Sequence, residues 1–389
     1  MAPKGFRAAG IACGIKKDGS KDLALIVSEV PARVAGLFTQ NRVKAAPVLY
    51  TRRRVRRGVA RALLANSGCA NACTGRKGME DVRRSVETVS RTLGIPREDV
   101  LVASTGVIGE PLPVERIEEA LPRLTQLLSP QGFKDAASAI MTTDTVPKLA
   151  ERTLTVRGKE VSLLGMAKGA GMIRPRLATM LAFLFTDLEV PPPMLRELLL
   201  EGNSRSFARI TVDGESSTND TVLLFANGAS GVSLGEEIGP FRDLLFEVME
   251  ELALGIVRDA EGRTKVVRIT VRGARTSRDA SKIAFRIATS PLVKTALFGQ
   301  DPNWGRVMAA LGDAGVAVAP DLVQIRINDL PVVKGGTQDP KYDEEKVSAS
   351  LKGKEISIVV DLHLGEGSYW VWSTDLSYDY VRINASYRS

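Results

Sequence analysis

The feature that most constrains this chain is a segment in which a loop rich in glycine and proline runs directly into an apolar stretch. Residues 168–187 read KGAGMIRPRLATMLAFLFTD, so Ala178 and Thr179 precede the apolar residues 180–185. Glycine and proline favour backbone conformations that suit a tight turn, and a short apolar run beside them is typical of a buried strand. The pattern therefore predicts that Thr179, a hydroxyl residue, opens a buried strand.

A threonine in this position has a chemical use. Its hydroxyl can attack the carbonyl of Ala178, and the chain then breaks between Ala178 and Thr179. The new N-terminal amine lies beside its own Oγ and can serve as the base, which is a known form of activated nucleophile. The segment taken alone is also compatible with a simpler structure, a glycine-rich loop that feeds a core strand.

Composition limits the protein classes that the chain can belong to. The 389 residues, with 44% hydrophobic and 25% charged, are typical of a globular protein with one large unit or two domains. Three cysteines (Cys13, Cys69 and Cys73) and a lone histidine (His363) make neither a disulfide framework nor a zinc site. No membrane span or secretory signal is apparent, which favours a cytoplasmic protein.

Two charged segments have alternative interpretations. Residues 52–57 (RRRVRR) resemble a nucleic-acid patch, but no aromatic residues interleave them, so a solvated edge or turn is favoured and no nucleic-acid partner is expected. Residues 211–215 together with Asn219 and Asp220 suggest Mg²⁺ or Ca²⁺. They lack the further spaced carboxylates of such a loop, so no metal is expected.

Hydrophobic periodicity predicts a mixture of strands and helices. Strands are predicted near 23–28, 100–103, 267–271 and 356–364, and helices through 82–93, 117–124, 195–199 and 241–256. Trp370 and Trp372 continue the last alternation, and His363 is predicted to be an exposed strand residue. The mixture predicts a layered α/β (α+β) fold, with no convincing linker.

Seven motifs, in order along the chain, resemble one family. They are residues 5–10, 103–109, 141–145, 168–181, 211–221, 301–306 and 384–389. The chain thereby resembles the bifunctional glutamate/ornithine N-acetyltransferases of arginine biosynthesis from end to end. The resemblance implies a sandwich with sheets between helical layers, like the self-cleaving N-terminal-nucleophile folds. It also implies a cut into fragments 1–178 and 179–389, which stay associated as one globular unit and assemble into a heterotetramer with two copies of each.

The resemblance also implies roles for individual residues. It makes Thr179 the nucleophile, Ala178 and Thr179 the cleavage site, and Thr105 with Gly106 the oxyanion hole. The implied substrate-binding residues are Thr142, Lys168, Thr179, Glu261, Asn384 and Ser389. Two points stay open on the sequence: Thr143 or Thr145 can replace Thr142, and Lys168, the one charge within 165–172, can also be an ordinary surface lysine.

The implied reaction moves an acetyl group from N-acetylornithine to glutamate by a ping-pong mechanism through an acetyl-threonine, with no cofactor. Glutamate N-acetyltransferase is therefore the expected activity, and some members of the family also accept acetyl-CoA and act as amino-acid N-acetyltransferases. Two alternatives remain. A hydrolase of the same self-cleaving type would use water as the acceptor, and an uncleaved ligand-binding protein would have no activity.

Overall fold

The computed structural model describes residues 2–156, 158–174, 180–233 and 238–386. The chain divides into two compact units, and each is described by itself. Unit 1 comprises Met1–Ala208, Glu215–Ile256 and Ser389, and unit 2 comprises Arg209–Gly214 and Val257–Arg388. The boundary between the two units does not coincide with the fragment boundary expected after Ala178. A cleavage site need not lie between compact units.

Unit 1 is built on a sheet of eight strands. The strands are β1 (Phe6–Ile11), β2 (Leu23–Phe38), β3 (Val59–Asn66), β4 (Val100–Ser104), β5 (Lys148–Val156), β6 (Lys159–Lys168), β7 (Leu181–Thr186) and β8 (Thr221–Ala226). Their order is β4-β3-β2-β8-β7-β6-β5, and β1 pairs with β2. The apolar run predicted to be a buried strand is β7, and each of its residues is buried.

Helices cover both faces of this sheet. They are α1 (Ala46–Val55), α2 (Gly75–Leu93), α3 (Val114–Gln126), α4 (Phe133–Ala139), α5 (Pro192–Arg205) and α6 (Ile238–Arg258), whose last two residues belong to unit 2. The apolar stripes of α2 and α3 pack with Leu64 on one face, whereas Phe133 of α4 packs with Leu63 on the other. Adjacent strand residues point to opposite faces, so the alternation fills two cores.

Unit 2 contains a sheet of six strands. The strands are β9 (Val266–Ala274), β10 (Gln324–Ile327), β11 (Leu330–Lys334), β12 (Thr337–Gln338), β13 (Glu355–Asp361) and β14 (Gly367–Thr374), in the order β12-β11-β10-β13-β9-β14. Its helices are α7 (Ser277–Ala288), α8 (Pro291–Phe298), α9 (Trp304–Gly312), α10 (Glu344–Ser350) and α11 (Tyr378–Ser386). Val267, Ile269 and Val271 of β9 face a core that α7 completes, as their alternation predicted.

The helices predicted from periodicity are α2, α3, α5 and α6, and the mixed α/β class is confirmed. The helix predicted through 82–93 is α2, and Gly94 ends it as a left-handed cap with φ +64°, which glycine adopts at little cost. Within the described ranges, no helix is long and apolar enough to cross a membrane.

Three local expectations need correction. The strand predicted over 356–364 ends at Asp361, and His363 is exposed but lies in the loop after the strand, with φ +51°. Trp370 and Trp372 belong to the separate strand β14, where Arg268 lies over both rings, because cations bind well to indole faces. Arg52, Arg53 and Arg54 lie in the last turn of helix α1 rather than in an edge or turn, since cations are stabilised at a helix C-terminus. Arg56 and Arg57 lie in a turn, as expected.

Candidate active site

Lys168 is the last residue of β6, and its side chain is held by two threonines. It is 3% exposed, so it is not an ordinary surface lysine. Its Nζ donates to Thr142 Oγ1 at 2.6 Å and to Thr105 Oγ1 at 3.1 Å. In the antiparallel pairing of β6 with β7, Lys168 lies opposite Leu181. The lysine therefore marks the end of the sheet at which β7 begins.

These contacts fix the direction in which the threonine hydroxyls donate. An ammonium group donates hydrogen bonds and accepts none, so both hydroxyl oxygens must act as acceptors toward Lys168. Each hydroxyl hydrogen of Thr105 and Thr142 is then directed away from the lysine. A positive charge behind a hydroxyl also makes it a stronger donor. Thr105 is consequently set up to donate to a developing negative charge.

Gly106 supplies a second donor beside Thr105. Its backbone has φ +130°, and a Cβ at this position would lie 2.3 Å from the carbonyl carbon of Gly68. Only glycine fits here, because the conformation and the close approach both exclude a side chain. Among the residues that the structure describes, the N–H of Gly106 has no acceptor. A hydroxyl and an adjacent free N–H are the donors that an oxyanion hole needs.

Asp144 lies behind this group and ties it together. Its Oδ1 accepts from Lys148 Nζ at 2.7 Å and from the N–H of Gly169 at 2.6 Å, and its Oδ2 accepts from the N–H of Thr142 at 3.0 Å. Burial alone would raise the pKa of Asp144, but the ammonium groups of Lys168 and Lys148 and the Gly169 N–H lower it to about 2. The carboxylate is therefore charged under ordinary conditions. We call Thr105, Thr142, Asp144, Lys148 and Lys168 the Lys168 cluster.

The geometry also favours one of the three candidate threonines. Thr142 is half-buried and bonds directly to Lys168, whereas Thr145 is exposed. Asp144 fixes Thr142 through the backbone N–H, two residues away in sequence. Among the described contacts, Thr142 is therefore the threonine of this motif that hydrogen-bonds to Lys168.

Three predicted residues lie outside the described part of the chain. Ala178 and Thr179, the predicted cleavage site, precede the point at which the description resumes, and Ser389 lies beyond its end at residue 386. Met180, which follows Thr179, is 1% exposed, and its N–H donates to Asp220 Oδ1 at 3.2 Å. The start of β7 is thus held by a buried carboxyl group that the sequence had associated with a metal loop.

Glu261 and Asn384 meet in unit 2, where we call them the Glu261–Asn384 pair. Asn384 Nδ2 donates to Glu261 Oε2 at 2.8 Å and to the carbonyl of Tyr380 at 3.1 Å within α11. Gly262 has φ +62° and lies against α11, so that a Cβ there would be 2.2 Å from the N atom of Tyr380. Ser377 Oγ donates to the carbonyl of Gly262. These contacts fix α11 against the loop that carries Glu261.

The residues considered for a metal loop are used elsewhere. Asp213 lies in unit 2 and accepts from the hydroxyl of Tyr380 at 3.2 Å, whereas Asp220 lies in unit 1. Across the described ranges, no three histidine, cysteine or acidic residues form a group that could hold a metal ion.

Comparisons with known proteins agree with the motifs. The model of the ArgJ family matches residues 7–389. The arginine biosynthesis bifunctional protein ArgJ of Geobacter sulfurreducens is 50% identical over 393 residues, with full coverage of both chains. The protein of the same name from Symbiobacterium thermophilum is 47% identical, over 100% of this chain and 98% of its own. This chain belongs to the ArgJ family.

A solved member of the family is similar in structure as well. The crystal structure of the arginine biosynthesis bifunctional protein ArgJ from Bacillus halodurans matches with a TM-score of 0.50 and 37% identity. The match covers 98% of that chain and 53% of this one. The resemblance stated from the motifs is confirmed at the level of the family.

Within this ArgJ-family chain, the structure brings the predicted residues together in two places. Thr105, Thr142 and Lys168 meet in unit 1, and Glu261 and Asn384 meet in unit 2. Sequence reasoning missed Asp144 and Lys148. A signal was present, because Asp144 belongs to one of the seven motifs and stands four residues before Lys148. It gave no reason to place this pair behind Lys168.

Proposed function

We propose that this protein transfers an acetyl group from N-acetylornithine to glutamate after cutting its own chain between Ala178 and Thr179. Thr179 Oγ attacks the acetyl carbon, the bond from that carbon to the ornithine nitrogen breaks, and the freed amine takes a proton. The amine of glutamate then attacks the acetyl ester, which gives N-acetylglutamate and restores the hydroxyl. The α-amine of Thr179 is the base, with an ordinary pKa of about 7.7–8.0.

One observation carries the proposal: Lys168 orients two threonine hydroxyls at the end of the sheet where β7 begins. The Thr105 hydroxyl and the Gly106 N–H are donors suited to the oxyanion that forms in each acyl-transfer step. Preorganised donors of this kind supply much of the catalysis in such reactions. The relatives' name, arginine biosynthesis bifunctional protein ArgJ, supports the same substrate class.

Substrate recognition follows from charge. In the proposal, the α-carboxylate that N-acetylornithine and glutamate share is bound by Thr142, whose hydroxyl Lys168 polarises, and by Lys168 itself. Glu261, with Asn384, pairs with the side-chain ammonium of ornithine, and Ser389 supplies a hydroxyl group to the substrate. No cofactor is needed, and the assay below tests acetyl-CoA as a second donor.

Strand pairing supports the association of the two fragments. A cut after residue 178 separates β6 from β7, yet these strands pair from Leu163 to Lys168, and β2 pairs with β8. The two fragments would therefore share one sheet, and separating them would break both ladders. The solved Bacillus halodurans chain aligns almost fully with about half of this one, which is the length expected of a fragment. We propose a cytoplasmic heterotetramer with two copies of each fragment.

The decisive experiment follows the chain and the acetyl group together. Purified wild type should run as two bands on a denaturing gel. The Thr179→Ala variant should run as one band and be inactive, and the Thr179→Ser variant should give two bands after slower cleavage. With N-acetylornithine and no glutamate, intact mass should show one acetyl group on the fragment of residues 179–389, and glutamate should remove it. Cleavage in Thr179→Ala, or acetyl on the other fragment, would exclude the mechanism.

The same preparation separates the alternative acceptors and donors. Initial rates are compared for N-acetylornithine with glutamate, acetyl-CoA with glutamate, and N-acetylornithine with water alone. A shared nucleophile predicts parallel double-reciprocal lines for the first pair. Release of acetate at the same rate without glutamate would instead make the protein a hydrolase.

A further inference from the structure

A buried polar segment, residues 216–221, links separate parts of unit 1. Thr39 Oγ1 donates to the carbonyl of Ser217 at 2.7 Å, and the Thr39 N–H donates to the carbonyl of Asp220 at 3.0 Å. The Ala45 N–H donates to the carbonyl of Thr218 at 3.0 Å. Residues 217–221 are each at most 7% exposed. Buried polar groups persist when they are hydrogen-bonded, so this segment is a fixed part of the core.

Asn219 connects the segment to the end of β4. Its Nδ2 donates to the carbonyl of Ser104 at 2.8 Å and to the carbonyl of Ala70 at 2.7 Å. The Thr218 hydroxyl donates to Oδ1 of Asn219 at 2.5 Å. Ser104 is the residue before Thr105, so the Asn219 amide fixes the peptide from which the proposed oxyanion donors begin.

Asp220 connects the same segment to the start of β7. Its Oδ1 accepts from the N–H of Met180 at 3.2 Å, and the N–H of Thr221 donates to the carbonyl of Met180 at 3.1 Å. Both backbone groups of Met180 are thereby held by two consecutive residues. Met180 follows Thr179 directly, so these bonds fix the chain one residue after the proposed nucleophile.

We propose that Asn219 and Asp220 form a positioning pair, which holds the peptide before Thr105 and the peptide after Thr179 at one fixed spacing. Consecutive Cα atoms are about 3.8 Å apart and cannot separate, so the two anchors move together. The inference rests on the proposed function, because the spacing matters only if Thr179 attacks a carbonyl whose oxygen Thr105 and Gly106 stabilise.

The burial of Asp220 suggests which substitution preserves the contact with Met180. Burial raises the pKa of Asp220 well above its ordinary value, although the Met180 N–H, the nearby Thr39 hydroxyl and the Lys168 ammonium oppose this. The Thr39 hydroxyl hydrogen already goes to Ser217, and Oδ2 of Asp220 has no hydrogen-bond partner among the described residues. Asparagine has nearly the same shape, carries no charge that burial would penalise, and keeps an oxygen for the Met180 N–H.

Asp187 offers a matched control at the other end of the same strand. It follows β7, is 0% exposed, and accepts from the N–H of Ser162 and from the N–H of Lys4, each at 2.9 Å. Removing its carboxyl group leaves buried N–H donors unpaired, as Asp220→Ala does, but far along β7 from Met180.

The test compares cleavage rates of freshly purified precursor and kcat and KM of the mature enzyme. We expect Asp220→Ala and Asn219→Ala to lower the cleavage rate and kcat at least about tenfold with little change in KM, because small misplacements of reacting groups cost that much. Asp220→Asn should recover to within about threefold, and Asp187→Ala should lower the unfolding temperature without lowering kcat.

Equal losses of kcat in Asp220→Ala and Asp187→Ala would overturn the pair, as would normal cleavage and kcat in Asp220→Ala. If Asp220→Ala does not fold, Asn219→Ala decides: a loss of stability with normal kcat counts against the pair. Failure of the proposed function looks different, because wild type would then stay uncut or Thr179→Ala would be cut. If Asp220→Ala and Asn219→Ala are cleaved normally while Thr179→Ala stays uncut, the positioning pair is refuted and the proposed function stands.

Discussion

The Lys168 cluster and the Glu261–Asn384 pair hold their polar side chains in different environments, the first buried and the second exposed. In the cluster, Lys168 and Asp144 are almost fully buried, and each makes several hydrogen bonds to groups that are themselves fixed. In the pair, Asn384 is exposed and rests on a helix near the end of the chain. Buried charges interact strongly because water does not screen them, whereas exposed pairs contribute little. The comparison predicts a rigid first group and an adaptable second one.

The largest expected effect separates two lysines of the cluster. Lys168→Met removes the cation from Thr105 and Thr142, so both half-reactions should slow by about tenfold to a hundredfold, the range for charge-assisted bonds. Lys148→Met removes the other cation on Asp144 without touching either hydroxyl, so it should lose stability and much less activity. Rates of both half-reactions and thermal unfolding are measured for each. Equal losses of activity would mean that Lys168 acts only through Asp144.

A second prediction concerns the acid stability of the cluster. The folded state lowers the pKa of Asp144 from 3.8 to about 2, so folding favours the ionised form. Its contribution, about 2 kcal/mol by linkage, is complete above pH 3.8 and is lost as the pH falls toward 2. Urea unfolding of wild type and Asp144→Asn between pH 2 and 6 should show curves that converge at low pH. A constant difference would contradict this linkage.

The smallest effect is expected at the Glu261–Asn384 pair. Glu261→Gln removes the carboxylate proposed for the ornithine ammonium, and an exposed ion pair is worth roughly 0.5–1 kcal/mol, or about twofold to fivefold. The loss should appear as a higher KM for N-acetylornithine. High salt should raise the wild-type KM toward that of the variant, because it screens the ion pair. Glutamate kinetics serve as the control, because glutamate carries no side-chain ammonium. Equal changes for both substrates would assign Glu261 to another role.

Predictions from local patterns were confirmed where neighbouring residues in the sequence set the structure. The apolar run after Thr179 became β7, the stripes of α2 and α3 became buried faces, and the glycine at 94 ended its helix. The errors came at positions that distant contacts decide. In the sequence, Trp370 and Trp372 continue the alternation of residues 356–364. In the structure they belong to a separate strand, β14, where Arg268 lies over both rings. His363 lies after the end of β13, with a left-handed backbone conformation.

The sequence by itself determined the family, the mixed α/β class and the residues worth examining, because motifs and periodicity are properties of short segments. Tertiary structure alone decided that Lys168 is buried, that it donates a hydrogen bond to Thr142, and that the Asp144 carboxylate interacts with its charge. Asn219 likewise reaches Ser104 across 115 positions of sequence. Contacts of this kind depend on which strands end at the same edge of a sheet, and strand order and register are set by the packing of the whole core rather than by any one segment.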